Sequence, residues 1–490
     1  MKRSFMFMLL GILLLAGCTL APKYERAPGE VPPEYRFQNL QGQPQAELNT
    51  LADLSWWEIF GDRELQGLIR TALTQNYDVL LAAARVAEAR ALVGVSRSLW
   101  LPQVGGTYLF QRQRLSQVSF PPLTPGAPHT GNINQFSLDL FWEIDLFGRL
   151  RSLTEAARAE FFATEWARRA VFSTVVADVA QAYFELRALD QQLEISRATL
   201  KLYETSRRLV VMRFERGMVS RQDVAQVDAL VHTAGAKIPD LRRQIAQKEN
   251  QICILLGINP KPIPRGRALP DLVVRATVPA GLPSDLLERR PDIRQAEEVL
   301  VAANYRIGAA RAEFFPRISL TGLFGRQSLA LSDLFTGPAK IWSIGPTVTL
   351  PIFTSGRNYF TLQATKALKE QTMVLYQFTV RQAFREVADG LIAHTEFREF
   401  RKEQEALVKS YLDYSQLANL RYKGGIESYL AVLDADRQLF TAQLDLAAVQ
   451  RDQLLTIVQL YKALGGGWET SDMPQRAATP VSGPDSHPGK

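Results

Sequence analysis

Side chains that could act as catalysts or metal ligands are few and scattered in this chain of 490 residues. Its four histidines, His129, His232, His394 and His487, stand far apart, and none has a Cys, Asp or Glu at the spacing of a zinc site. We find no Ser, His and Asp arrangement and no Gly-rich phosphate loop. The 57 basic and 50 acidic residues are interspersed, so no nucleic-acid partner is expected. The sequence therefore predicts a protein that is not an enzyme and that holds no metal or cofactor.

The residue with the clearest chemistry is Cys18, which ends the run Leu-Ala-Gly-Cys. A basic start and the apolar run from Phe5 to Ala16 precede it, which is typical of a secretory signal and too short to span a bilayer. Small residues before a cysteine favour cleavage after residue 17 and attachment of a lipid to Cys18. An ordinary signal peptide with a chance cysteine is the alternative. The second cysteine, Cys253, lies in an apolar run, so we expect a buried thiol.

The residue after Cys18 bears on the membrane that the chain reaches. Bacterial lipoproteins that stay in the inner membrane usually carry Asp at this place, whereas this chain has Thr19. This resemblance predicts a lipid-anchored protein of the bacterial outer membrane that extends into the periplasm. Outer-membrane lipid is therefore one of its expected partners.

The chain contains two copies of one unit, residues 76–257 and 290–465. The eight residues that begin at Arg213 recur, with changes, from Arg421, which is a shift of 208 positions. A shift of 214 relates positions nearer the start of each copy, such as Gly94 and Gly308. Two copies predict a quasi-symmetric structure in which each copy is incomplete without the other.

Very long helices are predicted in both copies. No Gly or Pro occurs from Arg149 to Arg216, and Ala, Arg, Leu, Glu and Gln favour helix there. Apolar residues in this stretch alternate steps of four and three, which is typical of coiled-coil packing. They are Val175, Val179, Ala182, Leu186, Leu189 and Leu193. The predicted helices are about 149–216 and 220–256 in the first copy, and about 357–423 and 428–464 in the second.

Each long helix is expected to end at a glycine and to turn back. Gly217 and Gly425 suit the left-handed conformation that often ends a helix. Ser220 and Ser428 follow three residues later and can cap the returning helix. Each copy therefore contains a helical hairpin with a tight turn.

Strands are predicted at about 103–146 and 317–353, where apolar and polar residues alternate. A half-buried sheet of a soluble protein is one interpretation. With the lipoprotein signal, an outer-membrane barrel is the other. Four strands cannot close a barrel, so several chains would have to contribute. Three chains would supply twelve strands, enough for a pore, whereas two would supply only eight, whose interior side chains would fill.

The rest of the chain connects or flanks the two copies. Residues 18–75 are expected to form an extended segment and a short helix. Residues 258–289 are rich in proline and form a linker. The tail, residues 466–490, is rich in Pro and polar residues and is expected to be extended or disordered.

Several motifs together resemble the outer-membrane factor family of tripartite efflux systems, in the lipoprotein branch of the TolC superfamily. They cover most of the chain and include Leu15–Cys18, Trp142–Arg149, Leu282–Ile293, Ile307–Arg311, Glu386–Gly390 and Tyr461–Trp468. The resemblance implies a homotrimer with a twelve-stranded β-barrel in the outer membrane and a twelve-helix α-barrel in the periplasm. It also implies a periplasmic membrane-fusion adaptor and an inner-membrane transporter of the RND type as partners.

The function that follows is a passive exit duct of an efflux pump. Two alternatives stay open. The first is the duct of a type I protein secretion system, against which the lipid anchor argues. The second is a structural periplasmic coiled-coil lipoprotein without a pore, against which the alternating strands argue.

The resemblance also implies a gate at the periplasmic end, where the two hairpin turns should lie. Leu430 and Asp434 share a helix face, so three copies would form a leucine ring next to a carboxylate ring. Arg437 could pair with Asp434. The first copy lacks this pair of residues in register, so the two turns are not expected to contribute equally.

Two further residues are expected to hold this gate shut, and the turns to meet the adaptor. Arg421 and Tyr422 are placed to tie their hairpin to the adjacent one, with Asp190 as a candidate acceptor. The turns, at Gly217, Ser220, Gly425 and Ser428, are the predicted contacts with the adaptor.

Overall fold

The computed structural model describes residues 19–26, 31–37, 51, 54–114, 116, 129–272 and 281–468. The predicted signal peptide 1–17, Cys18 and residues 469–490 of the tail lie outside these residues. In the described ranges, no helix is both long enough and apolar enough to cross a membrane.

The two copies have the same order of elements: a helix, two strands and two long helices. Both are mainly helical with one β-hairpin and one long helical hairpin each, which confirms the predicted fold class at this level. In chain order the elements are α1 (Trp56–Ile59), α2 (Arg63–Gln75), α3 (Tyr77–Ser98), β1 (Gln103–Arg114), β2 (Thr130–Ile144), α4 (Arg149–Glu215), α5 (Arg221–Leu255), α6 (Pro283–Arg289), α7 (Pro291–Ala312), β3 (Arg317–Ser328), β4 (Lys340–Thr349), α8 (Arg357–Lys423) and α9 (Tyr429–Ala463).

The described residues divide into two compact units. One consists of the described parts of Met1–Pro28, Arg85–Glu165 and Gln295–Phe378, and it contains the sheet. The other consists of the described parts of Gly29–Ala84, Trp166–Arg294 and Thr379–Lys490. Both hairpin turns belong to this second unit, whereas all four strands belong to the first.

The four strands form one antiparallel sheet in the order β1-β2-β3-β4, and its register gives the two faces opposite characters. Val104, Leu140, Gly322 and Ile344 are paired with one another across the four strands, so they lie on the same face. Because side chains alternate along a strand, every second residue from these four lies on that face too. Most members of this face with large side chains are apolar, and many are exposed; the charged members, Arg112, Arg114, Arg326 and Lys340, lie towards one end of the sheet. The apolar members are Val104, Tyr108, Phe110, Phe136, Leu138, Leu140, Trp142, Ile144, Ile318, Leu320, Phe324, Trp342, Ile344 and Val348.

The opposite face of the sheet is mostly polar, and part of it is covered. Ser137 is buried and its hydroxyl contacts the carboxylate of Asp139 at 3.3 Å. Gly325 faces Ser137 in the register, and a side chain there would meet the backbone of Phe136 at 2.2 Å. In water an antiparallel sheet usually buries its apolar face, whereas many apolar side chains of this one are exposed.

The predicted coiled-coil seam of α4 lies on its buried side. Val175, Val179, Ala182, Leu186 and Leu193 are all buried, and Leu189 packs against the cluster around Leu193 and Leu241. The single glycine of α8 has a packing role as well. A Cβ at Gly390 would lie 2.9 Å from Leu460 of α9, so the glycine allows the two helices to approach closely.

The C-terminal ends of both hairpins are held by equivalent contacts. The buried Asn76 side chain donates to the carbonyl of Leu255 at 2.8 Å, and the buried guanidinium of Arg290 donates to the carbonyl of Ala463 at 3.1 Å. Asn76 and Arg290 are related by the shift of 214, and the two acceptors by the shift of 208. The duplication is therefore preserved in individual hydrogen bonds.

Candidate site at the hairpin turns

Both turns close with the same backbone geometry. Gly217 and Gly425 each have φ of +71°, the left-handed region that favours glycine. The N–H of Met218 donates to the carbonyl of Arg213 at 2.9 Å, and the N–H of Ile426 donates to that of Arg421 at 3.0 Å. These are the six-to-one bonds of a Schellman motif, which satisfy carbonyls at the helix end.

The caps of the two returning helices differ. Ser220 and Asp223 form a capping box, in which each side chain accepts from the backbone N–H of the other residue. Ser428 stands at the same position but makes no capping hydrogen bond, contrary to the prediction that both serines can cap. The residue three positions on is Ala431, which cannot complete a capping box. The second turn is therefore the less firmly closed of the two.

A buried apolar cluster lies beneath the turns and joins the two hairpins. The rings of Tyr422 and Tyr429 pack at 4.9 Å, and the guanidinium of Arg213 lies 4.5 Å from the centre of the Tyr422 ring. The Tyr422 hydroxyl is buried and has no hydrogen-bond partner among the residues that the structure describes. The cluster consists of Val210, Val227, Ala418, Tyr422, Tyr429, Val432, Leu433 and Ala435.

The predicted acceptor for Arg421 and Tyr422 is wrong. Arg421 instead forms an ion pair with Glu427 at 3.3 Å, within its own turn. Asp190 accepts from Arg187 at 2.7 Å and from Arg265 at 3.1 Å. It lies 25 residues before the end of α4, which is about 37 Å along a helix, so it is too far from the turn to meet Arg421.

Leu430 and Asp434 lie on an exposed face of the first turns of α9. The Leu430 side chain is 60% exposed, comparable to Leu417 and Leu420 of α8 at 58% and 65%. Asp434 forms an ion pair with Arg437 at 3.0 Å, and both side chains remain accessible to solvent. The equivalent positions in the first copy are Gln222 and Gln226. We call the turn ends of the first and second hairpins the first tip and the second tip. The second tip thus carries an apolar group and an ion pair, and the first tip carries neutral amides at the same positions.

Sequence reasoning missed a buried polar contact on α9, made by Asp436, two residues after Asp434. The Ser415 hydroxyl donates to the Asp436 carboxylate at 2.5 Å, and the Tyr203 hydroxyl donates to the Asp436 backbone carbonyl at 3.1 Å. Burial raises the pKa of Asp436, and the Ser415 hydrogen bond opposes this rise. Asp436 therefore connects α4, α8 and α9 at one point.

The same two positions carry an exposed ion pair in the first copy. The shift of 208 relates Ser415 and Asp436 to Arg207 and Asp228, which form a close salt bridge. The shift of 208 could have located the contact from the sequence. Both copies keep the Asp, and only its partner changes, from Arg207 to Ser415. Without coordinates, however, nothing indicated that the second carboxylate is buried.

Substituting Ser415 should weaken the second hairpin in a pH-dependent way. Ser415→Ala leaves a buried carboxylate without its donor, which we expect to cost about 1.5–3 kcal/mol near neutral pH. An Asp whose pKa is raised in the folded state contributes stability that is fully present below its unfolded pKa and lost as pH rises through the folded pKa. The cost of Ser415→Ala should therefore shrink as the pH falls towards about 4.

Hydrogen exchange of peptides covering the start of α9, at several pH values, measures this effect. Arg207→Ala at the equivalent position is the matched control. It should cost only about 0.2–1 kcal/mol, because exposed ion pairs contribute little. A Ser415→Ala cost that is the same at acidic and neutral pH would contradict the assignment of Asp436 as a buried, titrating carboxyl.

Comparison with known proteins decides the family. The model of the outer membrane efflux protein family matches residues 68–258 and 282–466, which are the two copies with their short flanks. The chain belongs to the outer membrane efflux protein family. The predicted resemblance, the outer-membrane location and the function as the outer-membrane channel of an efflux pump are thereby confirmed. A family of channel proteins also fits the prediction that the chain is not an enzyme.

Similar proteins cover nearly the whole chain. The toluene efflux pump outer membrane protein TtgC of Pseudomonas putida is 38% identical, over 98% of this chain and 99% of its own length. OprJ of Pseudomonas aeruginosa is 36% identical, over 94% and 95%. The solved open state of the MtrE outer membrane channel of Neisseria gonorrhoeae is 32% identical and covers 92% of this chain and 99% of its own, with a TM-score of 0.82.

Proposed function

We propose that this member of the outer membrane efflux protein family works as a homotrimer that forms the passive exit duct of a tripartite, RND-type pump. The observation that carries this proposal is the sheet with its exposed apolar face. Its strand order leaves β1 and β4 as the two edges within one chain. Unpaired backbone groups are not tolerated in lipid, so the edges of a membrane-embedded sheet must pair with other chains.

Three chains give the pore that an exit duct needs. Two chains would supply eight strands, whose interior would be filled by side chains, whereas three would supply twelve. The exposed apolar face would then contact lipid, and the face with Ser137 and Asp139 would line the water-filled interior. Four long helices from each chain would supply a twelve-helix wall in the periplasm.

The partners of the duct are a membrane-fusion adaptor and an inner-membrane RND transporter. The adaptor would contact the turns around Gly217, Ser220, Gly425 and Ser428. Two observations support this: both glycines leave backbone exposed, and the second turn lacks a serine cap. We propose small organic molecules as the cargo class, since one relative is named for toluene. The duct itself holds no cofactor.

The gate lies at the second tip. Leu430 and Asp434 with Arg437 would face their copies from the other chains and close the tunnel by contact and by charge. Arg421 and Tyr422 would tie the tip to its neighbour. The Tyr422 ring lies in the buried cluster that joins the two hairpins of one chain, with the guanidinium of Arg213 4.5 Å from its centre, which supports this tie.

Cys18 carries the membrane anchor. Cleavage after residue 17 would make it the N-terminus, acylated with fatty acids such as palmitate. The chain would then be attached to the outer membrane both by its sheet and by its lipid.

Complementation distinguishes this function from its alternatives. In a bacterial strain that lacks its own outer-membrane efflux channel, we would express this chain with its adaptor and transporter genes, and measure the efflux of a fluorescent dye. Native mass spectrometry of the purified protein would give the number of chains. Restored efflux together with a trimer supports the exit duct. Export of a type I secretion substrate without dye efflux would favour the secretion duct, and a monomer that restores neither would favour a structural lipoprotein.

A further inference from the structure

The residues that follow Cys18 do not leave the surface of the chain but lie along α7. We call Thr19–Arg26 the strap. Near its start, the guanidinium of Arg311 donates to the carbonyl of Leu20 at 3.1 Å. Further on, the side-chain amide of Asn304 donates to the carbonyl of Pro22 at 2.7 Å. Asn304 is fully buried, so this bond is made inside the contact rather than at its rim.

The far end of the strap is held by charge. The guanidinium of Arg26 contacts both carboxylate oxygens of Glu297 at 3.0 Å, and the hydroxyl of Tyr24 reaches the same carboxylate at 3.4 Å. Glu297 is buried although it is an acidic residue. A paired carboxylate accounts for this, because a buried charge requires a partner.

Between these two ends a glycine lets the strap lie directly on the helix. A Cβ at Gly308 would be 2.7 Å from both the Cα and the Cβ of Ala21, closer than such atoms approach in proteins. The obstruction would come from backbone, which cannot rotate away as a side chain could. Gly308 belongs to Ile307–Arg311, one of the motifs in which the sequence resembles the outer-membrane factor family. This motif has no role in the proposed duct or gate.

The strap and its helix match in length. From Leu20 to Arg26 there are six residues, which span about 20 Å when extended. From Arg311 back to Glu297 there are fourteen, which span about 21 Å of helix. The strap therefore runs antiparallel to α7, fully extended and without slack. We call the stripe of Glu297, Asn304, Gly308 and Arg311 the strap groove.

The first copy has half of this groove, but no segment among the described residues lies on it as a strap. Its equivalents of Gly308 and Arg311 are Gly94 and Arg97. No described atom lies within 4 Å of a Cβ built on Gly94. Glu297 and Asn304, in contrast, are replaced by Ala83 and Arg90 in the first copy.

The residue that supports Asn304 has changed too. Lys369 of α8 donates to the Asn304 amide oxygen at 2.8 Å, which directs the amide nitrogen to the strap. In the first copy its equivalent is Phe161, and Arg90 lies over that ring at 5.5 Å. The residues that allow only the second copy to bind the strap are therefore the polar ones, Glu297, Asn304 and Lys369.

We propose that the strap groove is an intramolecular tether site, which binds the chain's own peptide after Cys18 and so fixes where the lipid anchor leaves the protein. Cys18 is bonded in the sequence directly to Thr19, the first residue of the strap. The strap points towards the C-terminal end of α7, from which the chain enters β3 five residues later. The tether thus holds the anchor at the level where the sheet begins. This inference rests on the proposed lipidation of Cys18.

Brief trypsin treatment of the purified, detergent-solubilised protein tests the tether. Cells would be grown with radiolabelled palmitate, so that the label reports the acyl group on Cys18. Trypsin can release the label by cleaving after Lys23 or Arg26, and a docked strap resists this cleavage. We expect Gly308→Ala to speed release of the label roughly tenfold, because the strap can no longer lie against α7.

Two other variants separate the tether from general damage. Glu297→Gln keeps the volume of the side chain but removes its charge, and it should also speed release. Gly94→Ala makes the same substitution at the equivalent position of the first copy and should leave release unchanged. Equal rates in all four proteins, with the label present, would overturn the tether alone. A protein that never takes up the label would overturn both the lipidation of Cys18 and the tether.

Discussion

Replacing both Leu430 and Asp434 by alanine is expected to raise the single-channel conductance several-fold. The wild-type protein should be closed most of the time in a planar lipid bilayer without its partners. The double substitution removes an exposed apolar side chain and one half of the Asp434–Arg437 ion pair from the second tip. In the proposed trimer it removes three of each, so both the steric block and the charged ring disappear.

The duplication supplies a matched control for this experiment. Gln222 and Gln226 occupy the same two positions of the first tip, and their double alanine variant should conduct as the wild type does. If both double variants open the pore equally, closure depends on the tips in general and not on the Leu and Asp pair. If neither variant differs from the wild type, the constriction lies elsewhere.

The second large effect should follow the loss of Arg290. Its side chain is only 8% exposed, and the guanidinium contacts Asp292 at 2.6 Å, Glu386 at 2.7 Å and the carbonyl of Ala463 at 3.1 Å. Arg290→Leu leaves these acceptors without their donor. We expect a loss of about 1–3 kcal/mol in the free energy of unfolding, the cost of leaving the buried Ala463 carbonyl without its donor, because the carboxylates of Asp292 and Glu386 are 39% and 38% exposed and can be hydrated.

Thermal unfolding of the purified protein, with hydrogen exchange at the end of α9, measures this loss. Arg385→Leu is the control, because the ion pair of Arg385 with Asp389 is 3.8 Å long and both side chains are largely exposed. Its loss should be below about 1 kcal/mol. An equally small effect of Arg290→Leu would mean that solvent replaces its contacts and that it does not hold the hairpin end.

Much of the fold could be predicted because the strongest signals are local. Gly217 and Gly425 interrupt long stretches that otherwise favour helix, and a left-handed glycine ends a helix whatever surrounds it. The strands around Trp142 and Trp342 alternate with a period of two, which no helix shares. The copies support each other, since a pattern that occurs twice, at a shift of 214 near the start of each copy and 208 further on, is not accidental.

What could not be predicted depends on burial and on contacts between distant residues. The difference between the two caps, by contrast, was present in the sequence, because Asp223 follows Ser220 by three positions and completes its cap, whereas Ala431 follows Ser428. The prediction gave Asp190 the wrong partners, Arg421 and Tyr422. The sequence around Asp190 does not show that the linker residue Arg265 lies beside it on α4. The strap could not be predicted from the sequence because its contacts join residues more than 270 positions apart.

The divergence between Gln222 and Leu430 shows what gene fusion made available to this protein. A ring assembled from single, unfused copies would have six identical tips, and any mutation would appear in all six at once. After fusion, one tip could keep neutral side chains while the other acquired residues suited to closure. A change in the turn proposed as the gate therefore need not disturb its neighbour, and the two turns can be selected for different tasks within one polypeptide.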